Sequence, residues 1–167
     1  AYLARTPSRL MVVQPEDILG VLEQANMPGT VEEQPNWRRK LPATLEEMER
    51  DERIVCITPS TLYATGLANV FTRFPGRCFD PGMEEQHALT LAAGLALGGM
   101  KPVVAYQSTF FQRAFDQLLH DLCFLDQPVL LLLYRSGFAG YDNPTHHGIY
   151  DLAYLRGLPN LRLCSPK

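Results

Sequence analysis

The sequence predicts an α/β fold: a three-layer parallel sheet with helices on both faces, preceded by a short extension. Three observations lead there. From residue 53 onward, five short apolar runs of strand length alternate with segments of helical period, the rhythm of βα units. One of those runs, Pro128 to Tyr134, is apolar without alternation, as in a strand covered on both faces. Before residue 53 the texture differs, with 6 Lys/Arg against 10 Asp/Glu over residues 1–52 and 9 against 8 over residues 53–167.

In order along the chain, Leu10-Met-Val-Val13 reads as a short buried strand, and Pro15-Glu-Asp-Ile18 opens a helix to about Gln24 with acidic residues in its first turn. Asn26-Met-Pro-Gly-Thr30 is a turn cluster. Residues 43–52 fit a polar helix capped by Thr44, with Glu47 at the reciprocal position. Ile54-Val-Cys-Ile57 is the next strand. A helix is expected over 61–73, a strand over 77–80, a helix over 84–97 ending at Gly98-Gly99, and a strand over 102–106. An amphipathic helix over 110–125, the strand 128–134, a long loop over 135–148, a short helix near 150–155 and a last strand over 161–164 complete the series.

The chain has 167 residues, 46% of them hydrophobic, and a net charge of −3. That balance excludes a disordered tail and a polybasic nucleic-acid binder. No apolar run approaches the ~20 residues that cross a bilayer, so no membrane partner is expected. The cysteines, Cys56, Cys78, Cys123 and Cys164, show no C-x-x-C spacing and read as buried free thiols rather than a zinc site or a disulfide framework. With no signal peptide visible, a cytoplasmic address is the expectation.

In open parallel sheets ligands bind beyond the carboxyl ends of the strands. Three such segments concentrate chemistry. Gly82-Met-Glu-Glu-Gln-His-Ala88 places carboxylates at a helix start. Gln107-Ser-Thr-Phe-Phe-Gln-Arg113 follows the next strand, and Arg135 to Gly148 holds three glycines, two His, an Arg and an Asp. Each has a plainer reading. Glu84 and Glu85 suit a helix dipole, Arg113 suits a pair with Asp116 three residues on, Phe110 and Phe111 suit a core, and His146-His147 lacks a third ligand for a metal. Their joint placement on successive strand ends favours the functional reading.

Residues 53–167 resemble the pyrimidine-binding domain of 1-deoxy-D-xylulose-5-phosphate synthase, a thiamine-diphosphate family related to transketolase. The matching strings are Arg73-Phe-Pro-Gly-Arg-Cys-Phe-Asp80, Glu85-Gln-His-Ala88, Ala92-Ala-Gly-Leu-Ala-Leu-Gly-Gly99, Lys101-Pro-Val-Val-Ala105, Ser108-Thr-Phe-Phe-Gln-Arg-Ala114, Pro144-Thr-His146 and Asp151-Leu-Ala-Tyr-Leu-Arg156. The resemblance implies thiamine diphosphate as cofactor, with Glu85 hydrogen-bonding N1′ of the aminopyrimidine, Phe110 stacked on that ring, Arg113 in polar contact with it and Met83 lining the cofactor's bend. It implies Arg135, Asp142 and His146 at the substrate, with Arg135 on phosphate or hydroxyl oxygens and His146 also catalytic, moving a proton at the reacting carbonyls. The implied reaction condenses pyruvate with glyceraldehyde 3-phosphate, with loss of CO2. Mg2+ would be held by a Gly-Asp-Gly…Asn signature that this sequence does not contain; no metal ligand is expected here.

The sequence departs from the family pattern at three places. Gln107 stands where a Tyr is usual, with Tyr106 one place earlier and therefore on the other strand face. Thr61-Leu-Tyr-Ala-Thr-Gly66 replaces a Met-Pro-x-Gly-Thr-Gly loop, and Asp142-Asn-Pro-Thr-His146 replaces Asp-Gly-x-Thr-His. The resemblance further implies a missing diphosphate-binding domain, a pyrimidine domain incomplete at its C-terminus, a homodimer at full length, and no activity of this chain alone.

Residues 1–49 instead resemble the C-terminal end of 4-α-glucanotransferase, through Ala4-Arg-Thr-Pro-Ser-Arg-Leu10, Val13-Gln-Pro-Glu-Asp-Ile-Leu-Gly20, Asn26-Met-Pro-Gly-Thr30 and Pro35-Asn-Trp-Arg-Arg-Lys-Leu41. The carboxylates of glycosyl transfer are expected upstream of such a segment. Two alternatives therefore stand beside the synthase reading: a glucanotransferase end joined to an acquired domain, and a non-catalytic module that keeps the fold.

Overall fold

The computed structural model describes residues 45–138 and 144–163. The expected elements over 10–13, 15–24 and 26–30, the cap at Thr44, and Asp142 lie outside these residues. The chain divides into two compact units, Asp51–Leu161 and a second made of Ala1–Arg50 with Arg162–Lys167. Of the latter, the helix α1 (Leu45–Arg50) is described, with Glu46 and Glu47 in its first turn and Arg50 in its last, as the helix dipole favours.

The larger unit is built on four parallel strands, β1 (Ile54–Ile57), β2 (Cys78–Phe79), β3 (Lys101–Gln107) and β4 (Leu130–Tyr134), in the order β2-β1-β3-β4. From β1 the chain steps outward to β2, then crosses back over β1 to β3. Right-handed crossovers therefore put the intervening helices on opposite faces. The helix α2 (Ala68–Arg73) covers one face; α3 (Glu85–Leu97) and the helical stretch after β3 cover the other. The strand order reverses between β1 and β3, so the crevice expected for a ligand opens at the carboxyl ends of these two strands.

The core lies between β3 and α3. Val104, Ala105 and Tyr106 on the strand, and Ala88, Leu89 and Ala92 on the helix, are fully buried with Phe111, Ala114 and Leu118. The small residues of α3 explain that burial: alanines at every turn bring the helix backbone close to the sheet. The helix ends as its glycines require. The Met100 N–H donates to Leu95 O at 3.0 Å and the Gly99 N–H to Ala96 O at 2.9 Å, with Gly99 at φ +85°, a left-handed cap that a side chain would strain.

Several expected boundaries shift. The helix expected over 61–73 is a set of turns up to Gly66 and becomes helical only at Ala68, because Gly66 takes φ +74° and the Thr65 hydroxyl bonds back to Thr61 O at 3.0 Å. The helix expected over 110–125 starts at Ser108 and changes pitch on the way. It comprises α4 (Ser108–Phe111), a 3-10 turn Gln112–Ala114, α5 (Phe115–Gln117) and a π-helical segment Leu118–Phe124. Strand β4 is half-buried along its whole length rather than covered on both faces; among the described residues it pairs with β3 alone. The last strand expected over 161–164 does not form over Leu161–Leu163, which lack ladder partners, and Cys164 lies outside the described residues. The described sheet thus has four strands instead of five.

The amino ends of the strands are held by one carboxylate. Asp51 accepts from Arg53 Nε at 2.9 Å and Nη2 at 2.8 Å and from Lys101 Nζ at 3.0 Å, while its carbonyl accepts from Arg77 Nη1 at 2.6 Å. Arg53, Lys101 and Arg77 lead into β1, β3 and β2 respectively. At the carboxyl ends a second carboxylate, Asp151 at the start of α6 (Asp151–Leu155), accepts hydrogen bonds from the hydroxyls of Ser108 (2.6 Å), Ser136 (3.1 Å) and Tyr154 (3.3 Å). Burial, then the nearby Asp151 charge, pushes the Tyr154 phenol well above its ordinary value. Asp151 thereby ties the loop after β4 to the start of the helix after β3. Gly148 closes the same junction. It exchanges two backbone hydrogen bonds with Gly137 (2.7 and 2.9 Å), and a Cβ on it would lie 2.7 Å from the Ser108 Cβ and 2.8 Å from the Arg135 carbonyl.

Three outcomes are expected. Phe111→Ala, which empties a fully buried aromatic site, costs about 3–5 kcal/mol in urea unfolding. Asp151→Ala leaves the buried Ser108 hydroxyl without its acceptor and costs about 1–3 kcal/mol, with new trypsin cleavage at Arg135 as its local sign. The hydrogen bonds from Arg53 and then Lys101 hold the Asp51 carboxyl well below the usual carboxylate range. Its contribution is therefore present above the unfolded value and lost as pH falls through the folded one, so Asp51→Asn flattens the decline of the melting temperature between about pH 5 and pH 2.

Candidate functional site

Glu85 opens α3 immediately after the loop that leaves β2. That loop is set by Asp80, whose carboxylate accepts from the Ser60 N–H (2.8 Å) and the Gly82 N–H (3.0 Å), joining the turn after β1 to the turn after β2. Gly82, at φ +80°, then reverses the chain into the helix. Glu85 is 4% exposed, and its own carbonyl receives the buried Tyr106 hydroxyl at 3.0 Å. Tyr106 is turned inward against α3 and Phe111, ring centroids 4.9 Å apart. Burial, reinforced by the Glu85 charge, raises its phenol far above the ordinary range, so it acts as a fixed donor.

The Glu85 side chain is held from one side. Arg113 Nη1 lies 3.2 Å from its Oε2, close enough for ionic attraction. Yet Oε2 is buried and has no partner in hydrogen-bonding geometry. Both statements hold together because the guanidinium approaches off the hydrogen-bonding direction. A buried carboxylate oxygen that keeps a lone pair unused is costly unless a donor comes from elsewhere. An N–H of a heterocyclic ligand is a donor of the right kind, and the Glu85 carboxylate fits the pyrimidine ring nitrogen of thiamine on that ground.

The structure brings the other expected residues to the same ends of the strands in two groups. Arg113 reaches Glu85 rather than Asp116, so the same-helix pairing does not form; Asp116 instead meets His120 at 3.0 Å. Phe110 and His146 meet edge to face, ring centroids 5.5 Å apart at 81°, and the His146 Nδ1 is 3.0 Å from the Thr145 hydroxyl. Thr109, next to Phe110, donates its hydroxyl to Thr145 O at 2.8 Å, which fixes the spacing of that pair. Met83 is 75% exposed on the loop before Glu85. Arg135 is exposed at the end of β4 with φ +57°, a left-handed residue that turns the chain sharply out of the sheet. Among the described residues no three His, Cys, Asp or Glu side chains converge as a metal site, His146-His147 included.

Four contributors were not legible as such. Asp151, Ser108 and Ser136 form the loop anchor, and Thr58, fully buried at the end of β1, donates to Ala105 O at 3.0 Å across the crevice. Gln107 is 5% exposed at the end of β3, and its Nε2 is a buried donor without an acceptor. Ser108 and Asp151 each begin a matching string, but nothing in spacing pairs two residues 43 positions apart.

The family model described as transketolase, pyrimidine binding domain, matches residues 33–167, and the model for 4-alpha-glucanotransferase matches residues 1–46. The chain is 51% identical over 134 residues to the 1-deoxy-D-xylulose-5-phosphate synthase of Aquifex aeolicus, across 80% of this chain and 21% of that protein. It is 54% identical over 119 residues to the synthase of Gloeobacter violaceus, across 71% and 19%. Among solved structures it is similar to a split gene transketolase described as an inactive beta4 tetramer, with TM-score 0.57, 29% identity, and coverage of 69% of this chain and 37% of that one. The chain spans about a fifth of the length of these curated relatives. With its parallel sheet and a family match over most of its length, the chain belongs to the transketolase pyrimidine-binding domain family.

Proposed function

We propose that this chain supplies the pyrimidine-binding half of a thiamine-diphosphate site in a synthase that condenses pyruvate with glyceraldehyde 3-phosphate and releases CO2. The observation that carries the reading is the buried, unpartnered Glu85 Oε2 beside Arg113. Thiamine diphosphate, when bound, supplies the electron sink for decarboxylation and carries the two-carbon unit. Glu85 holds a proton at the ring nitrogen N1′. Tyr106 positions Glu85 through the backbone, and Arg113, 3.2 Å from the carboxylate, orients it. Phe110 offers an aromatic face to the pyrimidine and Met83 an apolar surface to the cofactor's bend. Arg135 and Asp142 bind the substrate's phosphate and hydroxyl groups, and His146, its ring plane set by Phe110, moves a proton at the reacting carbonyl.

The carboxyl-end loops support a second half-site. Tyr63, Met83 and Phe138, on the loops after β1, β2 and β4, are 87%, 75% and 84% exposed. Three large apolar side chains at one end of the sheet suit cover by the domain that holds the diphosphate and Mg2+. On this reading the chain is catalytically silent alone, works as part of a larger homodimer in the cytoplasm, and takes no nucleic acid. The match of residues 1–46 to 4-alpha-glucanotransferase favours a second reading for that segment only: the end of a carbohydrate enzyme joined to the thiamine half-site at the boundary near residues 49–53.

The decisive experiment replaces the matching segment of the Aquifex aeolicus synthase with residues 53–167. The chimera is expected to form deoxyxylulose phosphate in a thiamine-dependent manner, and the 167-residue chain alone to form none. Within the chimera, Glu85→Ala is expected to lower kcat by at least about 100-fold, the lower range for losing a positioned acid–base group. Retained activity in that variant overturns the role of Glu85.

A further inference from the structure

Cys56 and Cys78 are register partners in the adjacent parallel strands β1 and β2. Neighbouring strands lie about 4.8 Å apart, inside the window of about 4.4–6.8 Å over which two Cα atoms accept a disulfide. Register partners share a sheet face, and here it is the face under α2, where the Cys78 thiol donates to Val70 O at 3.7 Å. Both thiols are free and half-buried rather than sealed in the core. No third ligating side chain joins them among the described residues, which sets them apart from a zinc site. Neither has a part in the thiamine half-site.

We propose that Cys56 and Cys78 form a paired-thiol modification site that closes to an intramolecular disulfide on reaction with a small disulfide oxidant such as oxidised glutathione. One of the two thiolates attacks one sulfur of the oxidant, forming a mixed disulfide and releasing one glutathione thiolate. The other thiolate then attacks the protein sulfur of that mixed disulfide, forming the internal S–S bond and releasing the second. Two protein thiols are oxidised, one external disulfide is reduced to two thiols, and two protons leave the protein.

Burial raises both thiols, and the Arg77 charge works against it at each. Either thiol can open the exchange, and its register partner then resolves the mixed disulfide. The closed bond would join the strands that lead to Ser60 and Asp80, whose contact sets the turn into Glu85.

The test incubates the 167-residue chain with oxidised glutathione and reads intact mass and non-reduced peptide maps. Expected is the loss of two hydrogens, one cross-linked peptide pair bearing Cys56 and Cys78, reversal by dithiothreitol, and a raised melting temperature of the oxidised form. Cys56→Ser and Cys78→Ser, each conservative in volume, are expected to stop at the reduced mass or at a persistent glutathione adduct on the remaining thiol. A stable adduct on the unsubstituted chain, a bridge to Cys123 or Cys164, or no reaction at either thiol overturns the proposal.

Discussion

A single buried hydrogen bond, from the Tyr106 hydroxyl to the Glu85 carbonyl, joins the central strand to the first turn of the helix that packs on it. Its consequences spread in both directions. The phenol needs a partner because it is fully buried, and the carbonyl at a helix start is available because its own helical acceptor role leaves a lone pair free. The bond fixes the height of α3 on β3. That height decides where the Glu85 carboxylate sits, and the carboxylate then faces Arg113 from the next helical stretch. Packing, through the alanine face of α3, and polarity, through one phenol, thus specify the same placement.

The two ends of the sheet are treated differently. At the amino end, the Asp51 carboxylate and carbonyl collect cations from residues leading into three strands. These are solvent-facing groups, each pair worth little alone, but they converge on one residue and hold the strand starts in common register. At the carboxyl end, polar groups are buried and two are left open: Glu85 Oε2 and Gln107 Nε2 make no hydrogen bond, while Asp151 gathers three hydroxyls to hold the loop that carries His146. Rigidity at one end lets the other keep unsatisfied groups. That division is what a site requires, since the groups that meet a ligand must remain available to it.

The alternation of apolar runs and helical periods gave the α/β class and the strands β1 to β4 within a few residues, because each is a local pattern of burial. What failed locally was decided by tertiary partners. Residues 161–163 are apolar enough for a strand but lack a ladder, and the stretch from 61 is periodic enough for a helix but yields to Gly66 and the Thr65 back-bond. Within the site, Glu85 and Phe110 were visible through matching strings, whereas the choice of Arg113 between Asp116 and Glu85 was not. Spacing along one helix favoured Asp116; a buried carboxylate on another element won, because attraction strengthens away from water. The role of Asp151 was hidden for a related reason: Ser108 and Ser136 come from two other segments that only the fold brings to it.

The junction of Gly148 with Ser108 bears on how this sequence can vary. Two positions 40 apart share one volume, so neither is free to drift alone. A side chain at 148 would displace the Ser108 hydroxyl from Asp151 and press on the Arg135 carbonyl, so enlargement here is blocked by backbone as well as by a movable group. Random libraries that diversify the 135–148 loop should therefore keep glycine at 148 and serine at 108 as a fixed couple. The adjustable alphabet of this loop lies at its exposed positions, and its hinge with the sheet is closed to substitution by simple lack of room.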